Sequence, residues 1–200
     1  FNSIMSGVFP ISAGFTTLEF ISNQNTRISE AVSGKTQRMK VGGQYWILTL
    51  KSPLMTKSDF MADYSFLLQQ GGSYDSFTIV PPGMGSSEGT ASGISTVTQT
   101  YAAGVTSVRA NDASGTLKKG DLIKFSNHNK VYMLTADVNM DASSEDTIAF
   151  YPPLTVAVNN TTTIIYDNVP VTVFLDSNQQ KFNTQADGYY RYEITLREEI

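Results

Sequence analysis

The chain has 200 residues, a formal net charge of −4 and no cysteine, and only 16% of its residues are charged. A chain of this length can bury a substantial core as one large domain or two small ones. The absence of cysteine excludes disulfides, thiolate metal sites and thiol nucleophiles. With so few charges, the polar surface must consist of Ser, Thr, Asn, Gln and Gly, as in β-rich chains or in subunits covered by partners.

Two kinds of partner are excluded by the same composition. The sequence has no run of basic residues, so we expect no sequence-specific nucleic-acid binding through phosphate contacts. No apolar stretch approaches the roughly 20 residues of a membrane-spanning helix, and no signal-peptide pattern is recognised. We therefore expect no membrane insertion.

The first part of the chain predicts three β-strands. The segment "FTTLEFI" (15–21) alternates apolar and polar residues, and "TQRMKV" (36–41) is a second candidate. The third, "QYWILTL" (44–50), has apolar residues on both faces, so we expect it inside a sheet that is packed on both sides. Gly42 and Gly43 between the second and third strands predict a turn or a bulge.

A helix is predicted from Lys57 to Gln70. Thr56 is a suitable N-cap, and Asp59 three residues later forms a weak capping box with it. Gly71 and Gly72 can end the helix in the left-handed conformation. The apolar stripe expected to face the core consists of Phe60, Tyr64, Leu67 and Leu68.

The pattern changes at two consecutive prolines. The strand "YDSFTIV" (74–80) ends at Pro81 and Pro82, because proline cannot donate to a strand ladder. Residues 83–168 contain short strand candidates at even spacing, separated by turn residues and without a convincing helix, which is typical of a small all-β domain. Residues 169–200 return to long strands, "VPVTVFLD" and "YYRYEITLREEI".

These segments predict a discontinuous organisation. We expect residues 1–82 and 169–200 to form one core domain and residues 83–168 to form an inserted all-β domain, since surface loops tolerate long insertions. The predicted fold class is mostly β. It is a β-sandwich with one packed α-helix that carries an inserted small β-barrel or β-sandwich domain.

The candidate chemical groups are sparse. His128 is the one histidine and lies in a polar hairpin loop, so it is interpreted as a loop residue. The run from Asp137 to Asp146 alternates oxygen ligands as an EF-hand loop does. Ala142 then stands where glycine is needed, and Ile148 stands where the bidentate glutamate should be. A solvated acidic loop is the favoured interpretation, and a weak calcium site is the alternative.

No other pattern indicates an active site. Neighbouring carboxylates in "REEI" point to opposite faces of a strand, which argues against a glycosidase pair. Tyr189, Tyr190 and Tyr192 could stack on carbohydrate, but cross-strand packing explains them more simply. We therefore predict no catalytic, cofactor-binding or metal-ligating residues, no cofactor and no enzymatic activity.

The order of packing motifs resembles a known family. The motifs are "RMKVGGQYWILTLKSPLMTKSDFMADYSFLLQQGGSYDSFTIVPP", then "GTLKKGDLIKFSNHNKVYMLTAD", then "VPVTVFLD" and "YYRYEITLREE". In this order they resemble tail proteins of tailed bacteriophages of the distal-tail type, which form a ring at the tail tip or baseplate. The resemblance implies a β-sandwich with one helix, similar to tail-tube and hub domains, with an inserted β-barrel-like domain.

The resemblance also implies partners and a location. It implies a non-enzymatic ring of about six copies that joins the end of the tail tube to the hub, the baseplate or the fibre-bearing tip. The expected partners are the chain itself, the tail-tube protein, and hub, baseplate or fibre proteins. The expected location is the virion, after assembly in the cytoplasm of the host bacterium.

The subunit interface is expected on the first and last long strands and on the segment from Ile21 to Gly34. This segment is rich in Asn, Ser and Thr and is interpreted as a long loop that becomes ordered on assembly. The candidate interface residues are Asn23, Asn25, Arg27, Arg38, Tyr190, Tyr192 and Arg197.

Three alternatives remain open from the sequence. The chain could be a tail-tube protein, which would stack into long polymers. It could be a binding module whose inserted β domain attaches carbohydrate or a receptor-binding partner. An enzyme such as a glycan hydrolase is the third hypothesis.

Overall fold

The computed structural model describes residues 5–185 and 187–200. This part of the chain is mostly β with one helix, which confirms the predicted fold class. The helix α1 is Lys57–Gln69. The strands are β1 Met5–Val8, β2 Thr17–Glu30, β3 Thr36–Lys51, β4 Ser76–Ile79, β5 Ser92–Val97, β6 Ser107–Leu117, β7 Leu122–Phe125, β8 Val131–Leu134, β9 Val138–Met140, β10 Asp146–Tyr151, β11 Thr163–Ile165, β12 Val171–Leu175, β13 Phe182–Thr184 and β14 Tyr190–Glu198.

The chain forms two compact units. Apart from a few residues near the chain ends, unit 1 consists of residues 10–76 and 173–199, and unit 2 consists of residues 77–172. The chain enters unit 2 within β4 and leaves it within β12.

A sheet with the strand order β1-β4-β12-β14-β3-β2 contains the long strands of unit 1, and β13 pairs with β14 beside this path. β3 lies between β14 and β2, with Leu50 opposite Ile194 on one side and Leu18 on the other. Along β3, Trp46, Leu48 and Leu50 are buried, and the residues between them are half-buried. The apolar residues on both faces of this strand therefore reflect one fully buried face and one partly open face.

The helix begins and ends as the sequence predicts. Thr56 accepts a hydrogen bond from the backbone N–H of Asp59, which confirms it as the N-cap. Its hydroxyl donates to the Asp59 carboxylate at 2.8 Å, a contact between side chains in place of the reciprocal backbone bond of a capping box. Gly71 and Gly72 follow the helix with φ of 63° and 74°, the left-handed conformation that ends helices.

The buried side of the helix differs from the predicted stripe. Phe60 and Leu67 are buried as expected, but Leu68 is 56% exposed and Asp63 is buried. The buried line therefore follows positions 60, 63 and 67, which lie on one helix face at spacings of three and four residues. Apolar periodicity does not identify this line because one of its members is an aspartate.

The segment interpreted as a long loop is a strand. β2 runs to Glu30 and pairs with β3 up to Glu30 opposite Thr36, so residues 17–51 form one long hairpin. The prediction failed because its polar outer half has both faces exposed, and such a ribbon shows no apolar alternation. Gly42 and Gly43 lie in an irregularity within β3, so the bulge alternative is the right one.

Unit 2 contains a closed barrel. Six strands pair in the order β5-β6-β10-β8-β7-β11, and β11 pairs back to β5. β9 pairs with β6 outside this ring. Its core is built around Phe125, Tyr132 and Phe150, whose rings meet edge to face with centroids 5.0–5.5 Å apart. Closure leaves few free strand edges in this unit, which is the usual way in which a barrel avoids unwanted pairing.

Candidate assembly surface

The β2–β3 hairpin extends past the sheet that supports it. β14 pairs with β3 as far as Arg197 opposite Ile47. At the next position the backbone N–H of Trp46 donates to the Glu198 side chain at 3.1 Å, and Glu198 is only 2% exposed. Beyond this point only β2 continues beside β3, and every residue in 25–43 is exposed. We call residues 25–43 the arm.

The base of the arm is an irregular junction. Gln24 pairs with Gln44 and Thr26 pairs with Lys40, so Asn25 faces the three residues 41–43. Gly42 there has φ of 96°, a conformation that glycine adopts without strain. Extra residues of this kind bend a strand and increase its local twist, so the direction of the arm is set at this junction.

Side-chain hydrogen bonds stabilise the sheet just below the junction. The Asn23 amide donates to the Tyr45 hydroxyl at 2.8 Å, and the buried Gln44 amide donates to Ser22 at 2.9 Å. The Gln24 amide also reaches the carbonyl oxygen of Gly42 at 3.4 Å. These contacts join the two strands across the hairpin, so the arm begins from a fixed base.

The tip of the arm is a hydrogen-bonded turn. The N–H of Ala31 donates to the carbonyl of Lys35 at 3.0 Å, and the N–H of Gly34 donates to the carbonyl of Ala31 at 2.8 Å. Gly34 adopts φ of 77°. With about 3.3 Å of rise per residue, the arm extends roughly 25 Å from its base.

Both faces of the arm combine an arginine with an exposed apolar side chain. Arg27 lies opposite Met39 on one face, and Arg38 lies opposite Ile28 on the other. Met39 is 60% exposed, Ile28 is 65% exposed, and Val32 at the tip is fully exposed. A two-stranded ribbon is marginally stable alone in water, so a partner that covers these apolar side chains would stabilise it. The arm therefore has the properties of a surface that a partner covers.

The predicted interface residues fall into two groups. Asn25, Arg27 and Arg38 lie in the arm, and Asn23 lies at its base. The other three candidates lie on β14, at Tyr190, Tyr192 and Arg197.

The β14 candidates have different surroundings. The Arg197 guanidinium lies 4.0 Å from the centroid of the Tyr45 ring, on the partly open face of the sheet. Tyr190 stacks on Phe60 with centroids 4.8 Å apart, which is the packing role favoured over carbohydrate stacking. Tyr192 is buried, and its hydroxyl donates to the Asp63 carboxylate at 2.8 Å. Burial and this carboxylate raise the pKa of Tyr192 far above its usual value.

Sequence reasoning missed the apolar residues of the arm. Ile28 and Met39 were not singled out, although each sits beside an arginine in "TRIS" and "QRMK". The signal becomes visible only when the two segments are paired, because the hairpin places each arginine opposite the apolar residue of the other strand.

His128 makes structural contacts in the barrel. Its Nε2 lies 2.8 Å from the Tyr132 hydroxyl, and its Nδ1 lies 2.7 Å from the Asn127 side-chain oxygen. Burial, with Lys124 and Lys130 nearby, lowers the pKa of His128 to about 4. A neutral imidazole at neutral pH follows, held between two hydrogen-bonding partners.

The acidic run forms turns and local hydrogen bonds. The Asp137 carboxylate accepts bonds from the Lys119 N–H at 2.9 Å and from the Lys118 ammonium at 3.0 Å, and these bonds lower its pKa. Asp146 accepts a bond from the N–H of Asp141 at 2.8 Å. Within residues 5–185 and 187–200, no group of three or more His, Cys, Asp or Glu side chains is placed to hold a metal ion.

Comparison with known proteins adds one finding. Residues 88–169 match the family model described as the B domain of distal tail protein pb9. This match confirms the resemblance to phage distal tail proteins and supports a structural role in a phage tail, with a location in the virion. No curated protein matches the chain. No helix in the part of the chain that the structure describes is long and apolar enough to cross a membrane.

Proposed function

We propose that this chain, whose residues 88–169 match a distal-tail B domain, forms a ring at the distal end of a phage tail tube. The ring connects the tube to the hub, the baseplate or the fibre-bearing tip. The match to a distal-tail B domain is the observation that carries this proposal. The arm supports it, because an exposed ribbon with apolar side chains suits a subunit that functions only when surrounded by neighbours.

The proposed domain organisation assigns one task to each part of the chain. Residues 1–82 and 169–200 form the ring, and the inserted domain, residues 83–168, offers an attachment point for other tail components. The closed barrel favours this division, since a unit with few free strand edges is suited to side-chain contacts rather than to strand exchange.

The proposed subunit interface consists of the arm and the nearby end of β14. Asn25, Arg27 and Arg38 supply the arm contacts, and Asn23 and Arg197 extend the surface onto the sheet. Tyr190 contributes at the other end of β14. The buried Tyr192 acts indirectly, by holding β14 against the helix residue Asp63.

The proposed copy number is about six, which gives a closed cyclic ring. Its partners are the last ring of the tail-tube protein on one side and hub, baseplate or fibre proteins on the other. The role involves no catalysis, and assembly takes place in the host cytoplasm.

The test is negative-stain electron microscopy of the purified chain, with native mass spectrometry on the same sample. Closed rings of about six copies support the proposal. Long tubes would instead identify a tail-tube protein. Antibody labelling of intact virions completes the test, because label at the tail tip supports the distal position and label along the tail contradicts it.

A further inference from the structure

Charge is divided unevenly between the arm and the rest of the chain. The arm contains four of the 14 basic residues, Arg27, Lys35, Arg38 and Lys40. It contains one of the 18 acidic residues, Glu30. The arm therefore carries a net charge of +3, and because the chain totals −4, the remainder carries −7. Arg27 lies on β2, Lys35 lies in the turn, and Arg38 and Lys40 lie on β3, so the basic side chains occur along both strands and at the tip.

Among the residues that the structure describes, the ion pairs lie outside the arm and involve neither Arg27 nor Arg38. These pairs are Lys51–Glu193, Arg109–Glu145 and Lys118–Asp137. Arg27 and Arg38 are exposed beside Met39 and Ile28. Arginine and methionine are enriched in protein interfaces, where an apolar contact is combined with a directed charge contact.

We propose that the arm docks onto a second copy of this chain, whose residues outside the arm carry a net charge of −7. The inference rests on the proposed ring, and it adds that opposite charge recognises the arm on the neighbouring copy. Opposite charge brings the arm to its acceptor and fixes its orientation. Ile28 and Met39 then lose contact with water and slow dissociation.

The size of the arm suits this role. Residues 25–43 supply nearly the roughly 20 residues that one side of a standard protein interface contains. The exposed apolar residues favour a protein acceptor over nucleic acid, because a phosphate backbone offers no apolar surface to cover them. The acceptor must also be acidic, and the −7 remainder of the same chain meets that requirement without a further protein.

The first experiment is sedimentation velocity of the full chain over a range of concentrations and salt. We expect self-association that weakens at least ~10-fold as salt rises from about 0.1 M to about 1 M, since the Debye length falls from about 10 Å to about 3 Å. Association that is unchanged by salt would overturn the proposal, as would a chain that stays monomeric at low salt.

The matched variants locate the effect. Arg27→Glu with Arg38→Glu should weaken self-association at least ~10-fold, and Ile28→Ser with Met39→Ser should weaken it without changing its salt dependence. The control is Lys57→Glu with Lys181→Glu, which makes the same change in net charge at exposed positions outside the arm. The proposal would be overturned if the control variant and the double arginine variant weakened self-association equally. Far-UV circular dichroism verifies that each variant folds.

Zero-length carbodiimide cross-linking identifies the acceptor. Lys35 at the tip should form an amide with an aspartate or glutamate of another copy, and mixing isotopically labelled and unlabelled chains distinguishes this product from a link within one chain. Links only within one chain would overturn the proposal. A different outcome would assign the arm to nucleic acid. In that case the chain stays monomeric and binds duplex DNA in a salt-dependent way, and the variant Arg27→Glu with Arg38→Glu loses this binding.

The two proposals fail in different ways. A chain that stays monomeric overturns the arm contact, but antibody label at the tail tip would still support the distal position. Label along the whole tail contradicts the distal ring, but salt-dependent association through the arm would still hold.

Discussion

Glu198 takes the place of a strand neighbour for Trp46. Its side-chain oxygen accepts the hydrogen bond of the Trp46 N–H at 3.1 Å, just past the last backbone pair between β14 and β3. Both residues are buried, so this contact ends the supported part of the sheet without leaving a buried donor unpaired. The arm begins a few residues beyond it.

Replacing Glu198 should therefore destabilise unit 1. We expect Glu198→Ala to lower the free energy of unfolding by about 1–3 kcal/mol, because a buried donor loses its acceptor. Glu198→Gln keeps an oxygen acceptor, so its free energy of unfolding should fall by less. Urea unfolding of the full chain measures the change.

The control for this prediction lies on the same strand. Glu193 forms a surface ion pair with Lys51 at 3.6 Å, with its side chain 55% exposed. Glu193→Ala should change stability by less than ~1 kcal/mol. Similar losses for the two alanine variants would contradict the role assigned to Glu198.

A second prediction concerns the buried carboxylate of the helix. Asp63 accepts hydrogen bonds from the Tyr192 hydroxyl at 2.8 Å and from the Ser12 hydroxyl at 2.7 Å. Tyr192→Phe removes one of these donors and should lower the free energy of unfolding by about 1–3 kcal/mol. Thermal and urea unfolding measure it, with Tyr189→Phe as the control because Tyr189 is 44% exposed. The prediction fails if both variants match the unmodified chain.

The pH dependence of stability should include a contribution from His128. Its pKa is lowered from 6.5 to about 4 in the folded chain, so the unfolded chain binds more protons between these values. The contribution is therefore fully present above about pH 6.5 and is lost as the pH falls towards about 4. The full shift would correspond to about 3.5 kcal/mol at about 1.4 kcal/mol per unit, and solvent screening at the partly exposed His128 makes the loss smaller than that.

Comparison with a variant isolates this contribution. His128→Gln has no imidazole to titrate, so its unfolding free energy should fall less steeply between about pH 6.5 and about pH 4. Carboxylates titrate in both proteins. Subtracting one curve of unfolding free energy against pH from the other therefore cancels their contribution. Parallel curves over this range would show that His128 is not protonated differently in the folded and unfolded chains.

A fourth prediction tests a close backbone approach in unit 2. A Cβ atom at Gly89 would overlap the carbonyl oxygen of Thr116, which is backbone and cannot rotate away. Gly89→Ala should cost more than ~2 kcal/mol of stability, as overpacked sites do. Gly43→Ala is the control, because its Cβ would meet nothing within 4 Å and its φ is ordinary. Equal stability of the two variants in urea would show that the chain near Gly89 can move aside.

The sequence predicted the elements whose packing is regular. The helix was found from its cap at Thr56 and its glycines at 71 and 72, and the barrel strands from short apolar runs between turn residues. β1, β9 and β13 were missed, since segments of three or four residues rarely show a clear alternation. The arm was taken for a loop because neither of its faces is buried within one chain.

The candidate site was predictable only in part. Arg27 and Arg38 were chosen as interface residues from the sequence, and both lie in the arm. Their apolar neighbours, Ile28 and Met39, were not, because exposure of an apolar side chain depends on the pairing of strands rather than on the identity of the residue. The burial of Asp63 was also not predictable from the sequence, because its hydrogen-bond donors lie 51 and 129 residues away along the chain.

The open edges of the arm have a consequence for the unassembled chain. A two-stranded ribbon leaves backbone N–H and C=O groups free along both sides, and such edges readily template aggregation. If two arms met edge to edge, they would bring a charge of +3 against +3. Lysine and arginine on an edge discourage pairing of this kind. The same charges that attract a different surface therefore protect the arms from each other before a tail is built.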